Sequence, residues 1–383
     1  MKIFHLSDLH LGLKLINKDL SEDQAYILDS IVTLAGRERP DAVVIAGDIY
    51  DRAIPPAEAV TLFDRFVTRL TETIPEAAIM IISGNHDSAD RVNAFRDLLK
   101  RGGIHMIGLP PMSREEHIEK VVLSDEYGPV NVYLLPFVKP SWVKDIVGVR
   151  PDGLLLSYDE SLRRLIAREN IDVRERNVLV SHQFYLPLGE KADDVERADS
   201  EIVTVGNIDA VGADCLAPFD YAALGHIHKR MTVGNEAFRY CGTPLACSVS
   251  EAGQEKGILE VTLGEKGCVT TRVLPLIPLR EIRRITGTLE EILGRACDDY
   301  VTAELTDADS ANMIDGRDRL RSAFPNLLEI RYVSRRDTAE KTASCPDVPM
   351  DAYALCRAFL GDMSEEDSAL LQDVINTVKE KSI

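Results

Sequence analysis

The sequence predicts an α/β fold, a largely parallel sheet covered on both faces, followed by a small α+β unit and C-terminal helices. Two patterns carry that expectation. Over residues 1–270, short β-rich runs alternate with helical stretches, and several of the runs are uniformly apolar. Strands of that kind are buried on both sides, as in parallel sheets linked by crossover helices. Past residue 280 the composition shifts. Arg280–Arg336 holds ten Arg, no Lys and eleven Asp+Glu, nearly neutral within a chain of net charge −19.

Lys2–Leu6 reads as the first strand. Ser21 and Gln24 have the S-x-x-Q spacing of a capping box, which opens a helix to about Gly36. Ala42–Ala46 (AVVIA) is a buried-strand run, and Pro55-Pro56 opens a helix reaching about Thr73. Ala78–Ile82, Val130–Leu135, Val178–Ser181 and Tyr221–Leu224 are further strands. After Tyr221 the pattern turns hairpin-like, with Gly234-Asn235 and Gly264-Glu265 as turns. Thr338–Val348 is polar, contains Pro346 and reads as a linker. Two amphipathic helices follow. The second has Ser364 as N-cap and an apolar stripe of Leu370, Leu371, Val374, Ile375 and Val378. Such a stripe packs on its own domain or on a partner.

The chain has 383 residues, of which 45% are hydrophobic, enough for two or three cored domains. No apolar run approaches the ~18–20 residues of a membrane span. Met1–Leu11 contains Asp8 and two histidines and is not expected to be a signal peptide. Seven cysteines without a C-x-x-C pair argue against a disulfide framework or a zinc knuckle. The expected compartment is the cytoplasm, with no membrane association. The excess of 63 Asp+Glu over 44 Lys+Arg argues against a free-standing nucleic-acid binder, which usually carries a basic stripe.

Five segments carry chemistry: Asp8-Leu9-His10, Gly47-Asp48-Ile49-Tyr50-Asp51-Arg52, Gly84-Asn85-His86-Asp87, Ser181-His182-Gln183 and Gly225-His226-Ile227-His228. Each directly follows a β-run. The carboxyl ends of parallel strands share one edge, so these side chains should converge there. A mixed Asp/His/Asn shell without cysteine suits Mn(II), Fe(II), Co(II) or Zn(II) in a catalytic site. Two metal ions need a bridging ligand, and the carboxylate of Asp48 is the choice. The expected reaction class is phosphoester hydrolysis. Any one of these motifs alone is weak; their order and shared position make the set specific. His5 is read as a packing residue of the first strand, and His105 and His117 as loop or surface residues.

The five segments resemble the calcineurin-like metallophosphoesterase superfamily over about residues 1–270. Within it, "GNHDSADRVNAFRDLL" at 84–99 and "FDYAALGHIHKRMTVGNEAFRYCGTPLACSVSEAGQEKGILEV" at 219–261 resemble the SbcD family of DNA nuclease subunits. "PLIPLREIRRITGTLEEIL" at 275–293 and "RLRSAFPNLLEIR" at 319–331 look like that family's capping domain. The resemblance implies a β-sandwich flanked by helices over 1–275, a DNA-contacting cap over 276–337 and C-terminal helices over 349–383. It implies that Asp8, His10, Asp48 and His228 hold one metal and that Asp48, Asn85, His182 and His226 hold the other. His86 would face the leaving oxygen. Asp51 would orient His86, and Arg52 would bind phosphate as in the superfamily's phosphatases, although SbcD-like proteins need not have that arginine. Arg283 and Arg284 would contact DNA unless acids pair with them. The implied cofactor is a pair of divalent ions, Mn(II) first. The implied partners are DNA and the SbcC ATPase, in a two-plus-two heterotetramer containing a homodimer of this subunit. SbcC would supply the DNA-binding surface that an acidic chain lacks, and the C-terminal helices would dock on its coiled coil. The implied activities are 3′–5′ double-strand exonuclease and single-strand or hairpin endonuclease, in DNA repair, replication and recombination. The alternatives are another enzyme of the superfamily, a phosphoprotein phosphatase or cyclic-nucleotide phosphodiesterase, and a non-catalytic scaffold.

Overall fold

The computed structural model describes residues 1–187, 189, 198–199, 201, 209–307, 313–332, 353, 356–357, 360 and 363–381. Two six-stranded sheets form its body. The first runs in the order Val269–Pro275, Gly257–Leu263, Lys2–Leu6, Ala42–Ala46, Ala78–Ile82, Ile104–Ile107. The second runs Met231–Val233, Asn235–Tyr240, Tyr221–Gly225, Arg176–His182, Gly128–Leu135, Glu119–Asp125. Four adjacent strands in each sheet are parallel; antiparallel strands complete one edge of the first sheet and both edges of the second.

Alternate residues of each strand face different layers, as the two-residue strand period requires. In the first sheet Phe4, Leu6, Val43, Ile45, Ile79 and Ile81 join the core under helices Ser21–Glu38 and Ala57–Thr73. Ile3, Val44, Met80 and Ile82 instead meet Val132, Leu134, Val180 and Tyr221 of the second sheet. The outer face of that second sheet, including Leu135, Leu179 and Leu224, is covered by helices Pro140–Val147 and Tyr158–Ala167. The architecture is a β-sandwich flanked by helices. It corrects the single parallel sheet read from periodicity: the apolar runs are covered on both faces, but one cover is another sheet.

His5 lies in the inter-sheet layer, its Nδ1 2.9 Å from the Tyr221 hydroxyl and its Nε2 3.2 Å from the Leu224 carbonyl. Burial lowers its pKa to about 3, so the neutral ring links the two sheets. His105 belongs to an edge strand rather than a loop, whereas exposed His117 pairs with Glu169 at 3.1 Å.

The predicted capping box does not form. Leu20 is the N-cap, and the Ser21 N–H donates to Asp19. Gln24 is used elsewhere: its amide donates to the His10 carbonyl (2.7 Å) and its Oε1 accepts from the Gly12 N–H (3.1 Å), steadying the first site loop. Both predicted hairpins are present, joining Met231–Val233 to Asn235–Tyr240 and Gly257–Leu263 to Val269–Pro275. Gly234 takes φ +67°, the left-handed conformation that glycine adopts without strain.

Residues past 280 form a separate three-stranded parallel sheet, Ile282–Gly287, Tyr300–Leu305 and Leu327–Tyr332. Helices Leu289–Leu293 and Met313–Ala323 cover it around Ile292, Val301, Leu320 and Phe324. Here a true capping box forms between Thr288 and Glu291. This unit sits against the start of helix Ser21–Glu38. Arg280 reaches Asp23 (2.8 Å) and Glu22 (2.6 Å), and the Tyr300 hydroxyl donates to Asp23 (2.8 Å). The expected linker lies outside the described residues, as does most of the helix expected before Ser364. The helix Glu365–Lys381 is present, and Ser364 caps it through the Asp367 N–H (3.1 Å). Leu370 and Val374 of its stripe are 63% and 51% exposed, while Leu371 and Ile375 are partly buried.

Candidate metal centre

The five segments meet at one edge of the sandwich, where carboxyl ends of parallel strands from both sheets come together. Asp8 and His10 follow strand Lys2–Leu6, Asp48 follows Ala42–Ala46, and Asn85 and His86 follow Ala78–Ile82. His182 ends its strand, and His226 and His228 follow Tyr221–Gly225. Asp8, His10, Asp48, His86, His182, His226 and His228 are all buried. The turns that aim them are forced. Asp8 (φ +53°), His10 (+44°), Asp48 (+49°) and His226 (+104°) hold positive φ, which costs a non-glycine residue about 1–3 kcal/mol. The flanking glycines permit close packing: a Cβ on Gly47 would lie 2.3 Å from the His182 ring, and one on Gly84 2.0 Å from Asp48 Oδ1.

Two donor groups result. In one, single ligand atoms of Asp8, His10 and His228 lie within 4.8 Å of one another; in the other, those of Asp8, Asp48 and His182 do. The Asn85 side chain joins the second, its Oδ1 3.0 Å from His182 Nε2 and 2.9 Å from His226 Nδ1. Asp48 Oδ2 lies between the groups, 3.2 Å from His182 Nε2 and 3.8 Å from His10 Nε2.

The arrangement fits cations. His182 Nδ1 faces the Ala46 carbonyl at 2.7 Å and must donate to it, which leaves Nε2 aimed at two oxygens. His10 Nε2 and His228 Nε2 face each other at 3.0 Å, so at most one proton can lie between them. Acceptor atoms packed against acceptor atoms need a proton or a positive ion between them. The charges respond accordingly. Burial opposes charge on His182, but the Asp48 carboxylate more than offsets it and raises the pKa to about 9. Burial, His228 and His86 drive His10 well below its usual range. Burial raises Asp8 to about 6 despite His182 and His228. Burial also penalises the charge on Asp48, yet the surrounding histidines hold its pKa well below the usual carboxylate range.

His86 sits beside the groups. Its Nε2 is 4.0 Å from Asp48 Oδ2 and its Nδ1 faces the backbone carbonyl of Asp51 at 2.9 Å. Contact with His86 thus comes from the Asp51 main chain, while the Asp51 carboxylate pairs with Arg52 at 3.4 Å. With His10 and Asp48, His86 also forms a group that could hold an ion. Arg52 is half-exposed in that ion pair. Arg283 lies between Asp299 (2.8 Å) and Glu281 (3.0 Å), and Arg284 against Glu304 (3.4 Å), all within the small unit. Neither arginine is brought to the centre.

Sequence reasoning gave no role to the buried carboxylates Asp87, Glu201 and Glu251 here; Glu201 Oε1 accepts from the His228 N–H (2.9 Å). Asp87 accepts from the N–H groups of Ile49 (3.1 Å), Tyr50 (2.9 Å) and Gly84 (2.9 Å), tying the Asp48 loop to the Asn85 loop. Its position in Gly84-Asn85-His86-Asp87 was the available signal. Glu251 lies beside His228, 23 residues on, and no spacing pointed to it.

The calcineurin-like phosphoesterase family matches residues 1–230. A second family, described as the type 5 capsule protein repressor C-terminal domain, matches residues 278–347. The SbcD nuclease subunit of SbcCD from Staphylococcus epidermidis is 28% identical over 379 residues, covering 97% of this chain and 96% of that protein. Among solved structures, TT1561 of Thermus thermophilus covers 71% of this chain and 98% of its own at 13% identity and TM-score 0.39. A dimetal phosphatase from Danio rerio covers 72% and 96% at 14% identity and TM-score 0.40.

Proposed function

Because the chain belongs to the calcineurin-like phosphoesterase family and is SbcD-like along nearly its whole length, we propose that it is the nuclease subunit of an SbcC-containing complex. The observation that carries this reading is the pair of adjoining donor groups, which share Asp8 and have Asp48 Oδ2 lying between them. Asp8, His10, Asp48 and His228 would hold one divalent ion, and Asp48, Asn85, His182 and His226 the other, with Mn(II) the favoured metal. Such ions supply Lewis-acid stabilisation of a phosphoryl group and a nucleophile at neutral pH.

The chain's own residues do the rest. The Ala46 carbonyl fixes the His182 tautomer, presenting Nε2 to the centre. Asp87 holds two ligand loops in register. His86, steadied by the Asp51 carbonyl, presents Nε2 where it can give a proton to the leaving oxygen or stabilise its charge.

The substrate is DNA, cut as a 3′–5′ exonuclease on duplexes and an endonuclease on single strands or hairpins, in repair, replication and recombination in the cytoplasm. Residues 1–275 form the nuclease domain, 276–337 the cap and 349–383 the helices that dock on SbcC, within a two-plus-two assembly. The exposed Leu370 and Val374 support that docking role. Among the described residues no helix is long and apolar enough to cross a membrane. The test is to incubate the purified chain with Mn(II) and end-labelled duplex DNA, with and without SbcC and ATP. Metal-dependent shortening from the 3′ end supports the reading. A chain that binds Mn(II) but leaves DNA intact in both arms overturns it.

A further inference from the structure

Beside His228 lies a group that could hold a third ion: His228, Cys247 and Glu251, all buried. Its cation position is already taken by Lys256. The ammonium lies 2.6 Å from Glu251 Oε2, 2.7 Å from Thr243 Oγ1 and 2.9 Å from Gln254 Oε1. Thr243 also donates to Oε2, at 3.1 Å. The other oxygen, Oε1, accepts from the Cys247 N–H (3.2 Å) and the Ser248 hydroxyl (3.1 Å). That same Oε1 faces His228 Nδ1 at 3.6 Å. A small rotation of the ring closes that gap to a hydrogen bond. The carboxylate is thus gripped from both ends, with Oε1 turned toward the imidazole.

We infer that Glu251 is the positioning residue of His228: it holds the ring proton on Nδ1 so that Nε2 presents its lone pair to the donor group shared with His10. The inference rests on the two-metal reading, because the consequence lies in metal affinity. His228 Nε2 is 3.0 Å from His10 Nε2, so the ring already points the right way, and Glu251 supplies the tautomer. Carboxylates behind metal-binding histidines act in this way, and losing one typically costs about 10–100-fold in metal affinity. Lys256 keeps the carboxylate charged in a buried place, where an unpaired carboxylate would take up a proton. A protonated Glu251 could donate to Nδ1 and reverse the tautomer.

Two double variants isolate the acceptor. Glu251→Leu with Lys256→Met removes the buried ion pair as a unit, a change that buried pairs often tolerate. Glu251→Gln with Lys256→Met also removes both charges but restores an oxygen, which the Cys247 N–H and Ser248 hydroxyl hold toward His228. Nitrogen NMR of the imidazoles in the metal-free full chain reports the tautomer, and calorimetry reports Mn(II) affinity. His228 should carry its proton on Nδ1 in the wild type and the Gln variant, and show mixed tautomers in the Leu variant. Mn(II) affinity should fall about 10–100-fold in the Leu variant and return within about tenfold of wild type in the Gln variant. Equal tautomers and affinities in the two variants would overturn the inference. So would an Nε2 proton on His228 in the wild type, which needs no variant to fold. A wild type that carries the Nδ1 proton but takes up no Mn(II) would instead defeat the two-metal reading and leave the contact with Glu251 standing.

Discussion

Asp48→Asn is the sharpest perturbation of the proposed centre. Asparagine keeps the shape, and its amide oxygen can still accept from the His86 N–H, which donates to Asp48 Oδ1 at 2.9 Å. What disappears is one negative charge 3.2 Å from His182 Nε2, 3.8 Å from His10 Nε2 and 4.0 Å from His86 Nε2. At an effective dielectric constant of about 20, a unit charge at the 3.2 Å distance is worth about 5 kcal/mol. A divalent ion held by those atoms would therefore lose at least roughly three to four decades of affinity, since a decade is about 1.4 kcal/mol and its charge is twice the unit taken here. Both ions should leave, because the charge serves both donor groups. Metal content after dialysis against micromolar Mn(II), read by plasma mass spectrometry, should fall from two ions per chain to none. Hydrolysis of bis-p-nitrophenyl phosphate should fall with it, while the thermal midpoint of the metal-free chain confirms folding. Full occupancy with normal turnover would refute the bridging role.

Four further outcomes are expected. His86→Gln should keep both metals and lose about 10²–10⁴-fold of nuclease activity, the worth of general acid catalysis; loss of metal in that variant would move His86 into the ligand set with His10 and Asp48. Arg283→Glu with Arg284→Glu should weaken DNA binding and lower the salt slope by roughly 1 per lost phosphate contact, leaving the small diester's hydrolysis nearly unchanged; unchanged DNA binding would leave both arginines to Asp299, Glu281 and Glu304. Deleting Met350–Ile383 should abolish co-purification with SbcC and spare metal binding, and retained co-purification would place docking elsewhere. The fourth concerns pH. His182, raised from 6.5 to about 9 by Asp48 against the effect of burial, stabilises the metal-free fold fully below pH 6.5, and that contribution is lost as pH rises through about 9. Mn(II) must displace this proton, so apparent affinity should weaken about tenfold per pH unit below about 9; a calorimetric titration with no proton release would contradict it.

Strands 2–6, 42–46 and 78–82 were legible to the residue: the last two are uniform apolar runs, and all three end in polar or glycine-containing turns that leave little freedom. The two-sheet stacking was not legible from periodicity. A strand buried on both faces reads the same whether its second face meets helices or another sheet, and only long-range pairing decides. Gln24 shows a local signal losing to tertiary demand. Its spacing from Ser21 suggests a cap, yet its amide is instead bonded to the His10 carbonyl and the Gly12 N–H, where it fixes the loop that carries His10.

The same tension runs through the centre. Asp8, His10, Asp48 and His226 violate the ordinary backbone preference of non-glycine residues, and like-charged or acceptor groups crowd together there. A sequence selected for stability alone would relax each of these. Local rules broken together at one sheet edge mark a functional site, and the surrounding structure must overdetermine them. Asp87 and Glu251 supply that overdetermination, each a buried carboxylate with at least three donors. Asp87 at least stands inside the Gly84-Asn85-His86-Asp87 motif, whereas nothing in the spacing along the chain points to Glu251, which is set by the loops that arrive beside it in space. The Asp, His and Asn motifs were readable because each stands at a strand end; what a neighbouring carboxylate does for them was not, because a support is defined by proximity in the folded chain.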